Sequence, residues 1–151
     1  VKVYKRDQTD AEKALSKRGK ASRRKGHQFE RDLVNRFNED LKDFHAVRGL
    51  QSKGGRGAAD VRLTGSLHEF HCECKKGKQP SINAAVRQAI QDHKFGSIPI
   101  AITCADREWT LVSMQLEDFI AILQALEGSQ ASGTVKVIAS SGIRVETETR
   151  D

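Results

Sequence analysis

The sequence predicts an α/β domain built on a mixed central β-sheet flanked by helices. Three patterns lead to this: an apolar stripe recurring every four residues, two alternating runs joined by turn residues, and a capped amphipathic segment that leads into a continuous apolar run. Phe29, Leu33, Phe37 and Leu41, with Val34 beside them, form the stripe of a helix from His27 to about residue 42. A short strand follows over residues 44–47. Residues 59–63 and 69–75 alternate, and Thr64-Gly65-Ser66 between them supplies turn chemistry, so a hairpin is expected. Pro80-Ser81 opens a second helix with Ser81 as its cap, running through Ala85, Val86, Ala89 and Ile90 to a stop at Gly96. Residues 98–103 read as a buried strand and 109–114 as another. Leu116, Phe119, Ile120, Leu123 and Leu126 mark a last amphipathic helix ending at Gly128, expected to be core with a share left for a dimer interface. Residues 135–138 and 143–145 read as a terminal hairpin.

A chain of 151 residues with 37% hydrophobic and 30% charged side chains fits one globular domain rather than a disordered segment. No apolar run approaches the ~20 residues of a membrane span, and the first residues lack the apolar core of a secretory signal. Cys72, Cys74 and Cys104 have no framework spacing, so a reducing cytoplasm is expected rather than a disulfide scaffold. The formal charge of +6 is unevenly spread: residues 1–25 hold ten Lys/Arg against three Asp/Glu, and the rest is nearly balanced. The expected organisation is therefore a basic, flexible arm over residues 1–25, a domain over 26–128, and an extension over 129–151. Such an arm suits the neutralisation of nucleic-acid phosphates; the alternative is a solubilising tail.

The chemistry is carried by residues 60–75. Along the second hairpin strand Glu69, His71, Glu73 and Lys75 share one face, while Phe70, Cys72 and Cys74 share the other. If Thr64 faces Glu69 and Arg62 faces His71, then Asp60 faces Glu73, with Cβ atoms roughly 5 Å apart. Two carboxylates that close repel unless a proton or cation lies between them. Hard oxygen ligands beside a basic, glycine-rich loop (residues 49–58) favour Mg²⁺ over Zn²⁺, with Mn²⁺ able to substitute. Such a centre polarises a phosphodiester and activates water. Lys75, two residues beyond Glu73, is placed to orient that water or offset charge at phosphorus. Glu30, one step off the first helix's stripe, is a further candidate for the site.

Glu30 on a helix, then Asp60, then Glu73-Cys74-Lys75 resembles the PD-(D/E)XK nuclease signature, with Ala59 where that motif usually carries Pro. Arg24-Lys25-Gly26, Phe29-Glu30-Arg31, Val47-Arg48 and Ser52 resemble archaeal-type Holliday junction resolvases. Val86-Arg87-Gln88-Ala89, Ile98-Pro99, the run from Trp109 to Val112 and Asp118-Phe119 are similar to small phage-encoded nucleases of that type. The likeness spans roughly residues 22–123. It implies a restriction-endonuclease-like core and a homodimer that cuts paired strands of branched or four-way DNA junctions, in a host's cytoplasm if the gene is phage-borne. It also implies metal binding by Asp60, Glu73 and the Cys74 carbonyl, with Glu30 acting directly or through water. Lys75 would serve the nucleophile and Gln88 would support the site. Arg24, Lys25, Arg48, Ser52, Lys53, Arg56, Lys76 and Arg87 are the candidate DNA contacts, each weighed against a solvated surface role.

Other readings remain open at this point. The same fold serves nucleases with other DNA substrates (sequence-specific, nicking or single-strand processing) and non-catalytic DNA-binding proteins. A zinc site from His71, Cys72 and Cys74 is disfavoured, because alternation puts the histidine on the opposite face from both cysteines.

Overall fold

A computed structural model of the chain describes residues 9–49, 58–65, 68–129, 134–140 and 142–148. It divides into two compact units, residues 1–113 and 114–151. The first holds α1 (Asp10–Asp40), β1 (Phe44–Arg48), β2 (Val61–Gly65), β3 (Glu69–Gly77), α2 (Ile82–Asp92), β4 (Ser97–Ala105) and β5 (Thr110–Ser113). The second holds α3 (Leu116–Ser129) and an antiparallel hairpin of β6 (Thr134–Ser140) and β7 (Gly142–Glu148). The sequence placed α3 inside the main domain; here it groups with the terminal hairpin. Its stripe of Leu116, Phe119, Ile120, Leu123 and Leu126 is exposed rather than core. No described helix is long and apolar enough to cross a membrane.

The five strands of the first unit lie in chain order, β1-β2-β3-β4-β5. Every pair is antiparallel except β3–β4, which is parallel because α2 carries the chain back across the sheet. The sheet is therefore mixed, as expected. Ser81 caps α2 by accepting from the Ala84 amide at 3.3 Å. That helix stops at Asp92, four residues short of the expected Gly96. Gly96 instead forms the turn into β4, with a φ of +91° that L-residues rarely adopt.

α1 and α2 lie on opposite faces of the sheet. Phe29 of α1 stacks under the Lys76 ammonium at 5.1 Å, on the side that also takes Phe70, Cys72 and Cys74. Asp92 of α2 acts electrostatically on His71 and Glu73, on the other side. β3 is thus covered on both faces, and His71, Cys72, Glu73 and Cys74 are all buried. The face that carries Glu69, His71, Glu73 and Lys75 is thus buried at its centre, because a strand feeding a parallel crossover is covered on both sides. Core packing on the α1 side comes from Phe29, Leu33, Val61, Leu63, Ile100 and Ile102. Ala85 and Ala89 of α2 are fully buried, small enough to lie close over β3 and β4.

α1 begins far earlier than the apolar stripe suggested. Thr9 and Glu12 form a reciprocal capping box, the Thr9 amide donating to Glu12 Oε2 at 2.7 Å and the Glu12 amide to Thr9 Oγ1 at 3.3 Å. Most of the segment expected as a flexible arm is therefore helix. Its described side chains from Asp10 to Lys25 are exposed. At the other end Asn38 closes the outer edge of β1, donating to the Ala46 carbonyl at 3.0 Å and accepting from its amide at 2.8 Å. An exposed strand edge is a template for wrong pairing, and this side chain occupies part of it.

Candidate active site

The expected hairpin register is observed: Thr64 pairs with Glu69, Leu63 with Phe70, Arg62 with His71 and Val61 with Cys72. The ladder ends there, and the strands fork. Asp60 lies one residue before β2, so the same register sets it opposite Glu73. The Cys74 amide, which has no β2 backbone to meet, donates to Asp60 Oδ2 at 2.8 Å. The amide and carbonyl of one strand residue face the same neighbour, so the Cys74 carbonyl also points into the fork. The Asp60 and Glu73 carboxylates act on one another electrostatically where the sheet opens.

The Asp60 backbone is pinned from the other direction. The Gly49 amide donates to the Asp60 carbonyl at 2.9 Å. A side chain at residue 49 would put its Cβ 1.8 Å from the Ala59 carbonyl oxygen, so only glycine permits this approach.

Glu73 is 2% exposed, and Lys75 Nζ lies 2.5 Å from its Oε1. This ion pair is the counter-charge of an oxygen that is sealed from solvent and receives no well-directed hydrogen bond. Burial pushes the Glu73 carboxyl above its ordinary value; Asp60 and Asp92 add to the rise, and Lys75 opposes it. Burial alone would lower Lys75, but its hydrogen bond and charge pairing with Glu73, joined by the Asp60 charge, hold it above the usual lysine value.

Glu30 is 5% exposed on α1, next to Phe29. Its Oε2 accepts from Arg48 Nε at 3.0 Å and from Nη2 at 2.7 Å. Arg48, expected as a phosphate contact, is thus engaged with a buried carboxylate in the free protein. Asp60, Glu30 and Glu73 all act on the Cys74 thiol, which burial already holds far above its ordinary value. Among the described residues, however, no three His, Cys, Asp or Glu side chains cluster tightly enough to hold a metal by themselves.

The zinc reading fails on geometry and on charge. Burial raises Cys72 to about 12, Cys74 lies higher still, and His71 points to the other face. All three cysteines are free thiols. His71 is 4% exposed, its Nε2 has no hydrogen-bond partner among the described residues, and burial lowers its basicity.

The remaining candidates are dispersed. Gln88 is half-buried and lines a groove of about 310 Å³ with Lys75, Lys76 and Lys78. Arg24 and Arg87 are exposed. Lys25 is ion-paired with Asp106. Ser52, Lys53 and Arg56 lie outside the described residues. Sequence reasoning did not find the Glu30–Arg48 pair, whose members are eighteen positions apart. It also missed the Gly49 contact, for which the glycine itself was the signal.

A family model described as archaeal Holliday junction resolvase matches residues 21–121, two thirds of the chain. The chain belongs to that family. The family is one of PD-(D/E)XK-type nucleases, metal-dependent endonucleases that act on DNA junctions, so the chain is a resolvase-type endonuclease. Comparisons with curated proteins and with solved structures return no match. The resolvase match begins within α1 and ends within α3, leaving the first part of the basic helix and the β6–β7 hairpin beyond it.

The oxygen set at the fork fits the divalent metal that the family requires. It offers two carboxylates and a backbone carbonyl, with Glu73 Oε1 buried against a single ammonium.

Proposed function

We propose that this resolvase is a Mg²⁺-dependent homodimer that cuts paired strands of a four-way DNA junction, with Mn²⁺ able to replace Mg²⁺. Asp60, Glu73 and the Cys74 carbonyl are the metal-binding groups. The ion, when bound, supplies Lewis acidity at the phosphoryl oxygen and acidifies water. Lys75 holds the attacking water in line and offsets negative charge at phosphorus, because its pairing with Glu73 keeps it charged. Glu30 braces the site from α1 by fixing Arg48, and would meet the metal directly or through water. The observation that carries this reading is the forked hairpin. There Asp60 opposes Glu73 while its side chain satisfies the backbone next to Glu73.

The basic helix from Asp10 to Lys25 supplies sequence-independent affinity for DNA backbone. The reading places the protein in a reducing cytoplasm, supported by three buried, unpaired cysteines. A Mg²⁺ incubation with a four-way junction, its matching duplex and a single strand tests the substrate. Paired, symmetric cuts confined to the junction support resolution. Equal cutting of plain duplex would replace it with a nuclease of broader substrate, and binding without cutting in either metal would leave only a DNA-binding role.

A further inference from the structure

On the face of the sheet that carries His71, a cleft of about 430 Å³ opens. It reaches Ala59, the residue before Asp60, and is lined by His71, Arg62, Lys94, Arg48 and Glu69. Arg48 is tied to Glu30 and Arg62 lies 4.0 Å from Glu69, so among the described residues Lys94 is the lining cation outside these pairs, while the Asp92 and Asp60 carboxylates act on His71 from nearby. His71 lies two residues before Glu73 on the same face of β3, about 7 Å along the strand. That is close to the step from one backbone phosphate to the next on a single DNA strand. Its Nε2 is buried and lacks a partner among the described residues. Orphaned polar atoms at this depth are uncommon in folded proteins, because each forfeits its hydration without a replacement bond.

We propose that this cleft is a subsite for the DNA phosphate adjacent to the one being cut, with His71 Nε2–H as the donor at its floor and Lys94 as its counter-charge. The inference rests on the Asp60–Glu73 fork being the cutting centre. It gives His71 a positioning role: one phosphate is seated in the cleft, so the next is delivered to the fork. The chemistry named is that of a phosphodiester anion; base edges are not read here, so the subsite is indifferent to sequence.

The test uses the full chain and four-way junctions in which a single phosphate, 5′ or 3′ of the cut, is replaced by neutral methylphosphonate. The parent should bind or cut one of these two junctions about ten-fold less well than the unmodified one. His71→Phe and Lys94→Ala should lose a similar factor on the unmodified junction and little more on that modified one, the coupling expected of groups that share a contact. His71→Gln, which keeps an N–H near the same point, should recover most of the loss. Lys94→Ala should also flatten the salt dependence of binding by about one unit. Lys94 is exposed, so its variant carries the test even if His71→Phe folds poorly by circular dichroism. Losses that multiply on the modified junction, or variants within about two-fold of the parent throughout, would overturn the subsite. Asp60→Asn in the same assay keeps the two readings apart. If it cuts at the parental rate the cutting centre itself is misplaced, whereas an inactive Asp60→Asn beside unaffected His71 and Lys94 variants removes the subsite alone.

Discussion

The β2–β3 fork and the first half of α1 are both rich in charge, yet they are built in opposite ways. At the fork, Glu73 is buried, Asp60 is fixed by backbone amide and carbonyl contacts, and Lys75 is held against a partner. Along residues 10–25 of α1 the lysines and arginines are exposed, and the helix is closed by a local capping box rather than by packing. Chemistry at phosphorus needs charges held in place in a poorly solvated site, where their fields are strong. Affinity for a polyanion needs only that many cations be near it, so the arm can forgo a core. One region should therefore govern rate, and the other affinity.

The largest separation should come from Asp60→Asn. It should slow junction cleavage by about 1000-fold while junction affinity changes by less than about three-fold. A variant whose binding falls as far as its rate would erase the distinction. Gly49→Ala should come next. Its new Cβ has to displace the Ala59–Asp60 backbone, costing about 2 kcal/mol by thermal or denaturant unfolding and a larger share of activity than of binding. Unchanged activity would mean that the fork does not depend on this contact.

The pH response sharpens the comparison, because the fork holds the Glu73 carboxyl where burial disfavours its charged form. The Glu73 carboxyl is raised above its ordinary value of 4.5 by burial. Its contribution to stability is complete below that unfolded value and is lost as pH rises through the folded one. Metal-free parent should therefore lose stability relative to Glu73→Gln as pH rises above the ordinary carboxyl value of 4.5. Mg²⁺ should stabilise the parent more at the higher pH, since the group must ionise to bind. His71 has the opposite sign. Burial lowers it, so its contribution is complete above its unfolded value and fades as pH falls through the folded one. Measuring the difference between parent and Glu73→Gln cancels that histidine contribution. A difference that does not vary with pH would contradict the assignment.

The smallest effect is expected from the arm. Deleting residues 1–21 should weaken junction binding about ten-fold at moderate salt and flatten its salt dependence, with little change in the cleavage rate of bound DNA. An unaltered salt slope would take the helix out of the binding account.

The sequence made the two regions unequally legible. The hairpin was readable down to which residues share a face, because alternation excludes every slip by one residue; the pairing of Arg62 with His71 is one of the registers that this leaves. The helical arm was not readable from periodicity, since a solvent-exposed helix has no apolar stripe. Its one signature was Thr9 followed three residues later by Glu12. The burial of both faces of β3 was hidden because it depends on where α1 and α2 settle, which alternation along one strand cannot report. Glu30 was identifiable as a candidate, but its Arg48 partner required the fold that brings helix and strand together.

The most direct test of the central claim is a crystal of the protein soaked in Mn²⁺ and measured for anomalous scattering. The account predicts one peak within coordination distance of the Asp60 and Glu73 carboxylates and the Cys74 carbonyl. A peak elsewhere in the protein, with those three oxygens left unliganded at saturating Mn²⁺, would contradict it.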